Sequence, residues 1–326
     1  MATTAQTIGG AEKIDLNAQK PRSLWADAMR RLARNRAAMA GIVVVVLYVL
    51  IAIFAPLVAP KNPVEQTSNN SLRPPFWVTD NPRRMPNPEN ILGTDNNGRD
   101  ILSRLIFGTR VSLIVGVVPQ IIILAIGISL GLVSGYAGGW LDNLLMRITE
   151  IVASFPDLLF IITLTVAFRE TLFGKAFNGL LLIFTALAIV GWTGMARLVR
   201  GQVLSLKEKE FIEAARALGI PTWKILFQHI LPNTLAPIIV SVSFSIPGLI
   251  LAEAVLTFLG VGMRPSVDPA NPLPTSLGQM LTEGFSNLSS GPWMLLFPVL
   301  MISSLVLAFT FLGDGLRDAL DPKDNG

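Results

Sequence analysis

Residues 210–232 read EFIEAARALGIPTWKILFQHILP, a polar stretch set between two long apolar runs. Glu213, Ala214, Ala215, Ala217 and Leu218 are good helix formers, and the paired alanines leave a surface that another helix can approach closely. Gly219 then supplies a residue that accepts a left-handed C-terminal cap. Pro221 suits the first turn of a second helix, where its missing N–H has no intrahelical partner. Ile225, Leu226 and His229 recur at helical spacing with Ile230 beside them, and Leu231-Pro232 is expected to end that helix. The stretch therefore predicts a helical elbow with its corner near Gly219, held at both ends by membrane spans. Such an element is placed to be gripped by something outside the membrane.

The composition agrees with that setting. Of 326 residues, 51% are hydrophobic and 15% charged, whereas soluble domains carry about 25% charged residues. The mean hydropathy is +0.56. The net charge of +4 is explained by basic flanks of membrane spans, with no need for nucleic acid as a partner. Without cysteine the chain has no disulfide, thiolate metal site or cysteine nucleophile. Its single histidine, His229, leaves no multi-histidine metal site and no nucleophile triad beyond itself. No G-x-x-x-x-G-K-[ST] loop occurs: Gly174-Lys175 has Arg169 five positions before the glycine, and Ala176 follows the lysine. No catalytic, cofactor or metal site is expected, so energy for uphill work must enter from elsewhere.

Six apolar runs, 37–59, 112–134, 151–168, 180–198, 235–258 and 293–312, approach the roughly 20 residues that a bilayer-spanning helix needs. They predict an all-α integral membrane protein with six transmembrane helices. The first run starts too far in, and is too long, for a cleaved signal. Residues 1–22 show no apolar period and are expected to be a disordered tail. Arg22, Arg30, Arg31, Arg34 and Arg36 then form a basic flank that completes segment 1–36. With the N-terminus inside, 1–36, 135–150, 199–234 and 313–326 fall in the cytoplasm; with span-edge Arg197 they hold 16 Lys and Arg, against 10 outside. The bias is modest because the outer loop 60–111 is long, and long loops cross largely regardless of charge. Both termini are thus expected in the cytoplasm, around a five-helix core of 112–312 that includes the elbow region 199–234.

The outer loop starts with Pro60, Pro63, Pro74, Pro75, Pro82, Pro86 and Pro88, so it should run extended. After Asp95, Ile101, Leu102, Leu105 and Ile106 share one face, with Arg99, Asp100 and Arg104 elsewhere. This predicts a short amphipathic helix at the outer interface ahead of the second span. Pro119, Pro156, Pro237, Pro247 and Pro298 interrupt the apolar runs, and Gly127, Gly131, Gly135, Gly138 and Gly139 crowd the end of the second. Breaks and small residues of this kind serve close helix packing, or a bundle that rocks between two openings. Glu253 lies deep in the fifth run, in LILAEAVLTFLG (249–260), where a charge costs about 2.5–3.5 kcal/mol on insertion scales. It either lines a pathway or hydrogen-bonds a neighbouring helix. Asp157 sits nearer a span end and is cheaper to place.

The order Glu-Ala-Ala at 213–215, three residues, Gly219, then Leu231-Pro232 after eleven more resembles the cytoplasmic loop of permease subunits in ABC importers. His229 stands where that family often has Ile, a departure familiar in its dipeptide, oligopeptide and nickel branch. LGTDNNGRDILSRLIFGTRVSL (92–113), AGGWLDNLLMRITEIVASFPDLL (137–159), AEAVLTFLGVG (252–262) and FLGDGLRDALDP (311–322) are similar to the same branch, and most of all to its C-type subunits. The resemblance covers residues 92–322. It implies the importer permease fold, a second homologous permease subunit, two ATPase subunits that hydrolyse ATP, and an extracytoplasmic binding protein. It also implies a multi-pass protein of a bacterial or archaeal cell membrane, the inner one where there are two. By position, Glu213, Ala214, Ala215, Gly219, Ile220, Pro221 and His229 would belong to an ATPase-docking elbow, with Leu231 and Pro232 fixing its return. The helix near 219–228 would then lie in an ATPase groove. Peptide is the expected cargo, with nickel chelates, opines and oligosaccharides open. An ATP-independent secondary transporter also tolerates broken helices and an intramembrane Glu, but gives the elbow no task.

Overall fold

The structure, a computed structural model, describes residues 24–78 and 85–320. The expected N-terminal tail, Arg22, Pro82 and the last six residues lie outside the described residues. In chain order the helices are α1 Leu24–Arg34, α2 Arg36–Ile53, α3 Ala55–Val58, α4 Ile101–Ala137, α5 Gly139–Ala153, α6 Asp157–Phe168 and α7 Leu172–Lys175. They continue as α8 Leu180–Leu206, α9 Glu210–Ala217, α10 Thr222–Lys224, α11 Leu231–Phe258, α12 Leu277–Ser286 and α13 Trp293–Leu320. No strand forms among the described residues. Five helical stretches are long and apolar enough to cross a membrane, and α5 with α6, bent by 79°, makes a sixth if counted as one span.

The centre of the bundle is α8, packed side by side with α4. The two run in the same direction, because Gly127, Gly131 and Gly135 of α4 meet Met195, Val199 and Val203 of α8 in order. A Cβ on Gly131 would stand 2.7 Å from both the Ala196 carbonyl oxygen and the Val199 Cβ. Only bare backbone fits there, so the glycine stripe sets how close these helices come. Around this pair, α2 closes on α13 through Gly41 and Gly315, the latter facing Ala38. Ala28 and Leu32 of α1 pack with Ala38 and Ala319. The first and last described helices therefore meet at one end of the bundle. Trp293, the first residue of α13, donates from its indole nitrogen to the Thr94 carbonyl at 3.3 Å, at the opposite end.

Several span limits differ from the expected ones. The second span has no separate interfacial helix before it: Ile101, Arg104 and Leu105 are at most 2% exposed and form the first turns of the 37-residue α4. Asp100 caps that helix, accepting from the Ser103 N–H at 2.8 Å. The run 151–168 is two helices, with α5 beginning at Gly139 and the chain breaking at Ser154–Pro156. Pro156 disfavours the α conformation at the residue before it and cannot donate to the ladder. Helix α2 ends at Ile53, before 59; α8 and α13 run on to Leu206 and Leu320, past 198 and 312. Residues 313–320, expected as tail, are helix.

Between Val58 and Ile101 the described chain is not the extended run its prolines suggested but a succession of turns joined by short extended pieces, with a 3-10 turn at Ser68–Asn70. It is nonetheless pinned: Leu72 N–H donates to Asp95 O at 2.8 Å, Thr94 N–H to Arg73 O at 2.9 Å, and Phe76 N–H to Ile91 O at 3.2 Å. Leu72 is buried in an apolar cluster with Ile101, Leu277, Trp293 and Met294.

Candidate functional site

The elbow forms with its corner where glycine allows it. Helix α9 ends in a Schellman cap: Gly219 N–H donates to Arg216 O at 2.9 Å and Ile220 N–H to Ala215 O at 3.1 Å. Gly219 has a φ of 72° and no atom within 4 Å of where a Cβ would lie, so backbone conformation alone demands glycine. Pro221 then caps α10 with its carbonyl, which accepts from Lys224 N–H at 2.9 Å.

The elbow has two faces. Ile212, Ala215, Ile225 and Ile230 are buried in the main core, which holds the elbow to the bundle. Phe211, Leu218, Trp223 and Phe227 point outward, from 45% to 81% exposed. Glu213, Ala214, Gly219 and Pro221 are also exposed, while Ile220, His229 and Leu231 are half-buried. Large apolar side chains on an otherwise polar element are the usual mark of a protein contact.

Leu231-Pro232 does not end the second helix. Residues Ile225–Ile230 form a π turn that runs straight into α11, so the elbow's second arm and the fifth span are one rod from Thr222 to Phe258. The wider π turn relieves the clash that a proline ring makes with the carbonyl four residues back, and Pro232 has no N–H to place.

Side-chain contacts bind the elbow's end of the bundle together. Arg200 holds Asp142 with two hydrogen bonds, from Nε at 2.6 Å and from the terminal nitrogen at 2.7 Å, and Ser134 donates to the same carboxylate. Lys207 Nζ donates to Gly135 O at 3.2 Å. Arg216 of α9 donates to the Tyr136 hydroxyl at 3.4 Å and lies over its ring at 5.2 Å. Arg216 thus joins α9 to α4, and the Asp142 carboxylate joins α5 to α4 and α8.

Glu253 is fully buried on α11. Its Oε1 accepts from Thr257 Oγ1 at 2.8 Å and from Ser276 Oγ at 2.7 Å, where Ser276 caps α12. Gly278 permits the approach, since a Cβ there would meet Ala254 Cα at 2.6 Å. Within this chain the side chain joins α11 to α12.

A second charged cluster was not singled out by sequence reading. Arg104 donates to Asp95 and, at 3.0 Å, to Glu283 Oε1 of α12; Arg99 donates to Asp95 Oδ2 at 2.6 Å and to Glu283 Oε2 at 3.0 Å. Two guanidiniums and two carboxylates balance, and the group ties the DNNGRD turn to α12. Burial pushes the Glu283 carboxyl up, but Arg104 and Arg99 outweigh it and hold the group below the usual carboxylate range. The only local signal was Asp95 four residues before Arg99; the partner on α12 is far away in sequence.

Residues 127–324 match the family described as "Binding-protein-dependent transport system inner membrane component". Residues 23–75 match "N-terminal TM domain of oligopeptide transport permease C". The oligopeptide transport system permease protein OppC of Haemophilus influenzae is 40% identical over 96% of this chain and 93% of its own. The OppC protein of Bacillus subtilis is 40% identical over 98% and 95%. The dipeptide transport system permease protein DppC of Alkalihalophilus pseudofirmus is 40% identical over 92% and 90%. Among solved structures, a chain of the inward-facing MetNI methionine ABC transporter superposes with a TM-score of 0.53 at 19% identity, covering 66% of this chain and 94% of that one. That likeness concerns the fold. With a profile match over more than half its length and close relatives across nearly all of it, this multi-pass membrane protein belongs to the family of binding-protein-dependent transport system inner membrane components.

Proposed function

We propose that the chain is one half of the membrane channel of an ATP-driven peptide importer. Supporting this are relatives at 40% identity that carry the names of oligopeptide and dipeptide permeases. The observation that carries the mechanism is the two-faced elbow: Ile212, Ala215, Ile225 and Ile230 root it in the core, while Leu218, Trp223 and Phe227 stand outside. The chain itself hydrolyses nothing in this reading. Two ATPase subunits lie below the elbow, a second permease subunit completes the pathway, and an extracytoplasmic binding protein delivers cargo to the end with residues 60–100. Both termini and the elbow face the cytoplasm of a prokaryotic cell, in its inner membrane where there are two.

When ATP closes the ATPases, the arm holding Trp223 and Phe227 is carried with them. Because that arm continues into α11 as one rod, its movement becomes movement of the fifth span. Arg216, against Tyr136, passes the same displacement to α4. Glu213, Ala214, Gly219, Ile220 and Pro221 shape the docking corner, and His229, Leu231 and Pro232 lie along the rod. Glu253 keeps α12 moving with α11 and does not itself contact cargo.

The test is ATPase activity of the co-expressed complex in lipid, with binding proteins loaded in turn with peptide, nickel chelate or oligosaccharide. Stimulation by the peptide-loaded protein is expected. Stimulation by another cargo alone would move the substrate assignment, and absence of any co-purifying ATPase would contradict the importer.

A further inference from the structure

The strap at residues 72–78 carries two large aromatics where a polar loop has no need of them. Phe76 and Trp77 are 55% and 52% exposed. They are not on a slack tip: the strap is hydrogen-bonded to residues 91–95, its Leu72 is buried beside Trp293, and Pro74-Pro75 stiffen it. The rings are therefore held in place, Phe76 edge-on to Trp77 at 5.0 Å and Trp77 edge-on to Phe297 of α13 at 6.2 Å.

Between strap and helix lies an open groove of about 520 Å³. Pro75, Trp77 and Val78 form one wall; Leu288, Pro292 and the first turns of α13, including Leu296 and Val299, form the other. Every residue lining it is apolar or aromatic. The groove opens along α13, a span of 28 residues, where Leu296, Val299 and Leu300 are from 38% to 54% exposed. The exposed apolar surface of this membrane-length helix thus continues without a polar break into the groove. Trp is the amphipathic ring that settles at membrane–water boundaries.

We propose that this groove is a lipid site: it takes one acyl chain of a bilayer phospholipid, and Phe76 and Trp77 anchor the strap in the interface above it. The strap is in turn joined to the Asp95–Arg104–Glu283 cluster by the Leu72–Asp95 backbone bond. Lipid held here fixes the height of the strap, and of residues 85–100 bonded to it, over the membrane. The site depends on the chain spanning a bilayer, and on neither the cargo nor which side the segment faces.

The test reconstitutes the full transporter complex in liposomes containing phosphatidylcholine with a diazirine in one acyl chain, and maps adducts by peptide mass spectrometry. Adducts are expected on residues 75–78 and 292–299. In Trp77→Asp and Leu288→Asp variants these adducts should be lost, while those on the exposed Val43–Leu50 face of α2 persist and show that the protein is folded and inserted. Adducts on α2 but none at the groove would overturn the proposal. So would labelling of Phe76 and Trp77 by a water-soluble diazirine, labelling only by a free diazirine fatty acid, or protection from both reagents by covering protein.

Discussion

Arg104 and Glu283, 179 residues apart in the chain, meet at 3.0 Å, and the arginine side chain is only 2% exposed. The pair makes the start of α4 and the short helix α12 one unit. Glu283→Ala leaves the buried Arg104 guanidinium with Asp95 as its sole carboxylate, and that one is shared with Arg99. Removing one partner of a buried pair costs about 3–5 kcal/mol. A large drop in thermal unfolding temperature of the purified complex is expected, with Glu283→Gln falling between the two; an unchanged temperature in Glu283→Ala would refute the lock.

The same group sets a pH dependence. The folded Glu283 carboxyl binds its proton more weakly than the unfolded one, so its contribution to stability is complete above the ordinary Glu value of about 4.3 and is lost as pH falls below it. Between pH 6 and 8 wild type and Glu283→Gln should show parallel stability profiles. Below that ordinary value the wild type should lose its advantage over the variant, and a gap that stays constant down to acid would contradict the assignment.

Gly131→Ala should be costly for its size. The new methyl would lie 2.7 Å from an α8 carbonyl oxygen, and overpacking of this kind costs about 1–3 kcal/mol. Gly194→Ala is the matched control, since nothing lies within 4 Å of its Cβ position on α8. There the loss of unfolded-state freedom should stabilise slightly. Equal effects of the two changes on unfolding would mean that the glycine stripe does not set the α4–α8 distance.

Gly219→Val separates folding from coupling. A Cβ there has no atom within 4 Å, yet a left-handed backbone costs an ordinary residue about 1–2 kcal/mol. That strain is borne by the corner, so the assembled complex should remain and substrate-stimulated ATPase should fall. Stimulation at the wild-type level would show that the corner's geometry is not needed for coupling.

Glu253→Gln keeps an acceptor for Thr257 and Ser276, while Glu253→Ala leaves both hydroxyls without it. A buried group so orphaned costs about 1–3 kcal/mol. Transport and stability should survive in the Gln variant and fall in the Ala variant. Full transport by Glu253→Ala would remove both the helix-joining role and any pathway role.

Much of this was legible in local sequence because the causes are local. Gly219 and Pro221 fix the elbow's corner through backbone conformation alone, and apolar run length announces a span. The reading failed where distant residues decide. Arg104 looked like the polar face of an interfacial helix, because its carboxylate partner lies on α12. The run 151–168 hid a helix already begun at Gly139, since α5 carries charge on an exposed side. Leu231-Pro232 read as a stop because a π turn, which lets a helix carry a proline onward, leaves no simple mark in residue spacing.

The central claim is that the outward face of the elbow grips an ATPase. It is tested by placing the photo-crosslinking residue p-benzoylphenylalanine at Trp223 or Leu218, and as a control at Phe285 of α12, in the co-expressed complex. The account predicts adducts with an ATPase subunit from the two elbow positions and none from Phe285, whose side chain is 57% exposed at the other end. An elbow that crosslinks to no ATPase in a complex where the enzyme is present would contradict it.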